Sequence, residues 1–164
     1  GCMVVAKDQE SLVNLQIQIK NKIASRNYLA IIHGSPNTSE GKIIGNIGRH
    51  PSDRKKYAVV DEKAGKYACT HWKLIEKFGN YSLMSFKLET GRTHQIRVHC
   101  SFLKHPIVGD PLYGRCKKLP CNLRGQALHA NKLGLIHPVN GENMIFEADP
   151  PIEFKKLLKV ISKN

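Results

Sequence analysis

Acidic residues are scarce in this chain: 13 Asp and Glu stand against 26 Lys and Arg, a formal charge of +13 over 164 residues. That imbalance expects a polyanionic partner. No uncharged run is long enough to span a bilayer and no secretory signal opens the sequence, so a membrane-spanning helix is excluded. The phosphate loop G-x-x-x-x-G-K-[ST], the strand-borne G-x-G-x-x-G and the nucleophile elbow G-x-S-x-G are missing, so nucleotide hydrolysis, dinucleotide chemistry and hydrolase-type acyl transfer lack their usual parts. A paired cysteine framework is missing too. Cys2, Cys69, Cys100, Cys116 and Cys121 are odd in number and scattered, which favours free thiols and a reducing compartment, a bacterial-like cytoplasm or an organellar matrix. Cys116 and Cys121 have neither a matching second pair nor a His at finger spacing, so zinc is not expected.

What is present is a globular composition, 41% hydrophobic, with no internal repeat, low-complexity tract or linker. Residues 1–164 read as one domain or the greater part of one. Gly1-Cys-Met-Val-Val-Ala-Lys enters a hydrophobic run at once, and reads like a chain cut mid-domain. Met3 to Ala6 suits a strand. Asp8 suits the N-cap of a helix carrying Leu12, Leu15, Ile19 and Ile23 on one face. Arg26 to His33 reads as a central strand, and Gly41 to Val60 as short strands around a basic surface loop, Arg49 to Lys56. Lys66 to Ile75 and Tyr81 to Leu88 flank the Gly79-Asn80 turn as a hairpin. Thr93 can cap a helix of about three turns carrying Ile96, Cys100 and Leu103. His105 to Tyr113 is loop. Ala127 to Ile136 and Met144 to Glu147 read as strands, and Asp149 as the cap of a last helix with Phe154, Leu157, Leu158 and Ile161 inside. The class is α+β, with a mixed, largely antiparallel sheet flanked by helices.

The densest polar cluster is Gly91-Arg-Thr-His-Gln-Ile-Arg-Val-His99, at a strand-to-helix junction where amides and two arginines can hold phosphate. The bland alternative makes Arg92 a solvated face and lets His94 and Gln95 satisfy neighbouring backbone. Arg92 and Arg97, five apart, cannot be a simple i,i+4 pair, so at least one faces a distinct environment. By periodicity alone Tyr28 is core, Asp110 between Gly109 and Pro111 is a turn residue, and His129 is a hydrogen-bonded core residue. His33, His71 and His137 have no spacing that assembles a metal site. Arg49, Arg54, Lys55 and Lys56 form one basic cluster and Arg115, Lys117, Lys118 and Arg124 another, which favours contact with a phosphate backbone.

Taken in order, Leu88-Glu-Thr-Gly-Arg-Thr-His-Gln-Ile-Arg-Val-His99, His105-Pro-Ile-Val-Gly-Asp-Pro-Leu-Tyr-Gly114, Leu128-His-Ala130 and His137-Pro138 resemble the motifs of the RluA-type RNA pseudouridine synthases. Tyr28-Leu-Ala-Ile-Ile-His-Gly34 resembles that family's second motif, and Ile47 to Lys56 with Lys66-Tyr-Ala-Cys-Thr70 the segment between. The resemblance covers essentially the whole chain. It implies isomerisation of uridine within rRNA or tRNA: the C1′–N1 bond breaks, the held uracil rotates and C5 bonds to C1′. No cofactor or metal is implied, and the target nucleotide is flipped from its stack. The resemblance places Tyr28 against the uracil as a candidate base, Arg97 in a buried ion pair with the catalytic aspartate, and Leu128 on the apolar side of the pocket. It leaves Arg92 and His94 for phosphate or local structural contacts. The family's first motif, H-R-L-D-x-x-T-S-G, is matched here only by its last glycine, at Gly1. None of Asp8, Asp53, Asp61, Asp110 and Asp149 follows Arg-Leu.

Two expectations follow from that departure. The chain is inactive alone, because the nucleophile lies upstream of Gly1. It is also marginal or self-associating, because Arg97 is buried without its aspartate and a truncated strand edge is open. The competing readings are a non-catalytic RNA-binding protein that retains the fold, and a basic structural domain of a ribonucleoprotein particle.

Overall fold

The computed structural model describes residues 1–114, 119 and 121–163. Arg115, Cys116, Lys117 and Lys118, singled out above, lie outside the described residues. The chain begins with a helix, α1 (Gln9–Lys20), whose cap is Asp8: its carboxylate accepts the Ser11 N–H at 2.7 Å. Five strands follow: β1 (Ser25–His33), β2 (Glu40–Arg49), β3 (Tyr57–Val60), β4 (Lys66–Phe78) and β5 (Tyr81–Leu88). Helix α2 (Gln95–Phe102), strands β6 (Leu128–Ile136) and β7 (Asn143–Glu147) and helix α3 (Ile152–Ile161) complete the order. The strands form one sheet in the order β3-β2-β4-β5-β1-β6-β7, antiparallel at every pairing. The class is α+β, as the sequence implies.

β1 lies between β5 and β6, and Ala30, Ile31 and Ile32 in a row are buried. A strand covered on both faces reads as a continuous apolar run, which is why this one is plain in the sequence. The β4–β5 hairpin closes through Gly79-Asn80, with Gly79 at φ +54°, where only glycine turns without strain. Phe154, Leu157 and Ile161 of α3 join the main core cluster with Met84 and Phe86 of β5.

Several local expectations are corrected. Met3 to Ala6 forms no strand: Cys2 donates its N–H to Ala130 O at 2.7 Å, beyond the stretch of β6 that pairs with β7 (Lys132–Ile136), and the chain then leaves the sheet. α1 buries Ser11, Leu15 and Gln18, while Leu12 and Ile23 are exposed. Its rotation is set by Gln18, whose amide both donates to Ile136 O at 2.6 Å and accepts from Ile136 N at 2.8 Å. The weak pattern from Gly41 resolves into one 10-residue strand, β2, and the short β3. α2 has 8 residues and is capped by His94 in the left-handed region, φ 56°, in place of Thr93. α3 begins after Pro151, and Asp149 instead pairs with Lys155 at 2.7 Å. No helix among the described residues is long and apolar enough to cross a membrane.

Candidate functional site

The β1–β6 pairing slips by one residue between Asn27 and Tyr28, so that Tyr28 faces Ala130 and Ala30 faces Leu128. Residues that face one another across an antiparallel ladder share a side of the sheet. Tyr28 and Leu128 are therefore diagonal neighbours on one face, both half-buried against the main core cluster. The Tyr28 hydroxyl makes no hydrogen bond among the described residues. An aromatic ring packed along one edge with a leucine beside it is a suitable wall for a planar base.

The turn from β5 to α2 is built around the buried Gln95. Its Oε1 accepts the Thr90 hydroxyl at 2.7 Å and the Arg92 N–H at 2.9 Å, and its Nε2 donates to Cys69 O at 3.0 Å and to Thr70 Oγ1 at 2.9 Å. All four capacities of the amide are used. The bland alternative for Gln95 is thus the right one: it fastens the Gly91-Arg92 turn to β4. Arg92 itself is half-buried and donates Nε–H to Tyr67 O at 2.9 Å. With Thr93, Lys63 and Lys66 it lines a cleft of about 470 Å³. Lys63 and Lys66 escaped the sequence reasoning because only the fold carries the β3–β4 connection to the Gly91 turn.

Beneath that turn, Thr70 Oγ1 also meets His99 Nδ1 at 2.9 Å. His99 is wholly buried, and burial pushes its pKa down to about 4. The unfolded imidazole takes a proton near its ordinary 6.5, which the folded one refuses until about 4. Its contribution is present above the unfolded value and is lost as pH falls through that window, by roughly 3 kcal/mol in full. Urea unfolding between pH 7.5 and 4.5 is expected to show this decline, with a flatter slope for His99→Gln. Equal slopes would remove His99 as the cause.

Arg97 is buried and ion-paired, and within this chain its partner is Asp110: Nε to Oδ2 at 2.7 Å and Nη2 to Oδ1 at 2.8 Å. Asp110 Oδ1 also accepts the N–H groups of Leu112 at 2.9 Å and Tyr113 at 3.0 Å. Asp110 is therefore a turn residue and a buried anion at once. Burial alone would raise its pKa, but the Arg97 guanidinium and the two amides hold it below the ordinary carboxylate value. The expected unpaired charge at Arg97 does not arise, so the pair gives no reason for marginal stability.

His94, a candidate for RNA contact, is packed edge-on between Tyr57 and Tyr113, with Nδ1 3.1 Å from the Tyr113 hydroxyl. Burial and the nearby Arg97 depress its pKa. The Tyr113 hydroxyl in turn accepts the Tyr57 N–H at 2.8 Å, so His94 ties the start of α2 to β3. The basic loop is solvent-facing as expected. Arg54 and Lys55 are exposed, Lys56 lies 3.4 Å from Asp53, and Arg49 donates to Arg54 O at 3.2 Å with its guanidinium over the Tyr57 ring. Arg49 therefore braces the loop that presents the other cations. Of the second basic cluster only Arg124 is described, and it is exposed.

The histidine spacings suggested no metal site, yet β4 and the end of β5 bring Cys69, His71 and Glu89 together, with ligand atoms within 4.8 Å of one another. Their atom types could hold a divalent metal. The Glu89 carboxylate is already shared between Lys22 and His71, and hydrogen bonds from these two, Lys22 first, hold its pKa down to about 2. The four described cysteines are free.

The RNA pseudouridylate synthase family matches residues 1–102. Over 159 residues the chain is 52% identical to an uncharacterized RNA pseudouridine synthase of Synechocystis sp., covering 96% of this chain and 49% of the relative. It is 43% identical over 175 residues to ribosomal large subunit pseudouridine synthase D of Pseudomonas aeruginosa, covering 100% of this chain and 54% of that protein. The chain thus spans about half the length of the curated relatives it matches. Among solved structures, human RNA pseudouridylate synthase domain containing 1 superposes with a TM-score of 0.75 at 27% identity, over 93% of this chain and 66% of that one. Human RNA pseudouridylate synthase domain containing 4 shares the fold, with a TM-score of 0.76. Sequence and fold agree, and this chain belongs to the RNA pseudouridylate synthase family.

Proposed function

We propose that the whole protein isomerises uridine to pseudouridine in RNA, rRNA or tRNA, and that this chain supplies the part that holds the flipped nucleotide. The observation that carries this reading is the Tyr28–Leu128 wall beside a cationic turn, in a chain of this family. Tyr28 stacks on the uracil and takes the C5 proton once C5 has bonded to C1′. Leu128 closes the apolar side. Arg97 acts through the scaffold, fixing α2 to the Asp110 turn. Lys63, Lys66, Arg92, Arg54, Lys55 and Lys56 track the phosphates, with His94 and Arg49 bracing their supports.

In this reading the nucleophilic aspartate belongs to a segment of the whole protein outside these 164 residues. Asp110 is saturated, Asp8 caps α1 and Asp149 pairs with Lys155, and none of the five follows Arg-Leu. The chain alone is then inactive, and the exposed Ile145 and Phe146 on edge strand β7 favour self-association of the isolated piece. The free cysteines support a reducing compartment.

The test is release of tritium from C5-labelled uridine in rRNA and tRNA by the whole protein, with pseudouridine identified in the digest. Pseudouridine in either RNA supports the reading. RNA binding without any pseudouridine would favour the non-catalytic binder.

A further inference from the structure

Arg26 stands two residues before Tyr28 on β1, and the period of two turns both side chains to the same face. Its guanidinium lies against Gly91: a Cβ placed there would come within 2.4 Å of Nη1. Glycine at 91 therefore makes the room that the arginine occupies. Nε of Arg26 is buried with no hydrogen-bond partner, and among the described residues no carboxylate pairs with this side chain. The other arginines near the site are engaged: Arg97 with Asp110, Arg92 with Tyr67 O, Arg49 with Arg54 O. The buried, unmatched Nε marks a guanidinium that the fold leaves without an anion, and the outer nitrogens of this half-buried side chain, beside the glycine gap, form a fork for an anion with two oxygens.

We propose that Arg26 and Gly91 form a phosphodiester-binding site that positions the nucleotide whose base lies against Tyr28; the identity of that nucleotide rests on the function proposed above. The cleft lined by Lys63, Lys66 and Arg92 lies on the same turn, so an RNA strand bound at Arg26 continues across further cations. Arg26 is a positioning residue, acting through the phosphate rather than on the uracil.

The test is the affinity of the whole protein for an RNA stem-loop with uridine in its loop, measured over a series of salt concentrations. Arg26→Gln is expected to weaken binding about tenfold and to lower the salt slope by about one phosphate's worth. Arg26→Lys is expected to keep the slope and recover only part of the affinity, because an ammonium replaces the fork. Gly91→Ala retains the charge but shifts the end of a flexible side chain, and is expected to fall between the parent and Arg26→Gln. Unchanged slopes in both Arg26→Gln and Gly91→Ala would overturn the proposal. So would lost turnover at an unchanged slope, which would point to a carboxylate of the protein as the partner of Arg26. A lowered slope in a protein that forms no pseudouridine would uphold the phosphate site and fell only the proposed isomerisation.

Discussion

Tyr28→Phe in the whole protein is expected to lower pseudouridine formation by about 10²- to 10⁴-fold, the range for removing a positioned proton-transfer group. The ring, its packing against the core and its stacking surface are all retained. The hydroxyl has no hydrogen-bond partner among the described residues, so its loss removes nothing the fold uses. The loss should therefore appear in kcat, with KM and the melting temperature close to the parent's. Tyr28→Leu, which also removes the stacking face, should raise KM as well. If Tyr28→Phe turns over at the parent rate, the C5 proton leaves by another route and Tyr28 is a stacking residue only.

Asp110→Ala should be the most damaging single change to stability. Arg97 would keep a side chain only 10% exposed and lose both of its charge-assisted bonds, while the amides of Leu112 and Tyr113 would lose their acceptor. Breaking one side of a buried pair costs about 3–5 kcal/mol. Asp110→Asn keeps an acceptor for the amides and should lose less. Arg97→Met together with Asp110→Leu should recover much of the loss, since apolar replacement of a buried pair is often close to neutral. Urea unfolding of the four proteins checks the series. A loss below about 1 kcal/mol in Asp110→Ala would show that water reaches the guanidinium, contrary to the burial of the pair. The same change should disturb the site, because Tyr113 and His94 lie on the structure that Asp110 holds.

The parts of the site that were legible in the sequence are those whose signal is local. The Gly79-Asn80 turn marks its hairpin and the basic loop from Arg49 to Lys56 shows in composition alone, whereas periodicity reads Tyr28 as core and only the resemblance to the family marks it. Of the face expected for α1, Leu15 is buried and Ile19 packs against the same cluster, whereas Leu12 is exposed and Ser11 and Gln18 are buried, with Gln18 held by its two hydrogen bonds to Ile136. Thr93 was preferred as a cap because of its residue type, but the Gln95 clamp on Arg92 tightens the turn and moves the helix start to His94. Asp110 looked like a turn residue because its neighbours are Gly109 and Pro111, and nothing in that tripeptide announces an arginine on a helix.

By itself, the sequence determined the charge, the class, most of the strands and the ordered motifs that identify the family, since each depends on residue type and short spacing. Only the tertiary structure decided which charges are spoken for. Arg97 is matched by Asp110, Glu89 is shared by Lys22 and His71, and Arg26 is left facing Gly91. Such pairings join segments far apart in the chain, and they are fixed by how the sheet and α2 pack, which no local pattern encodes.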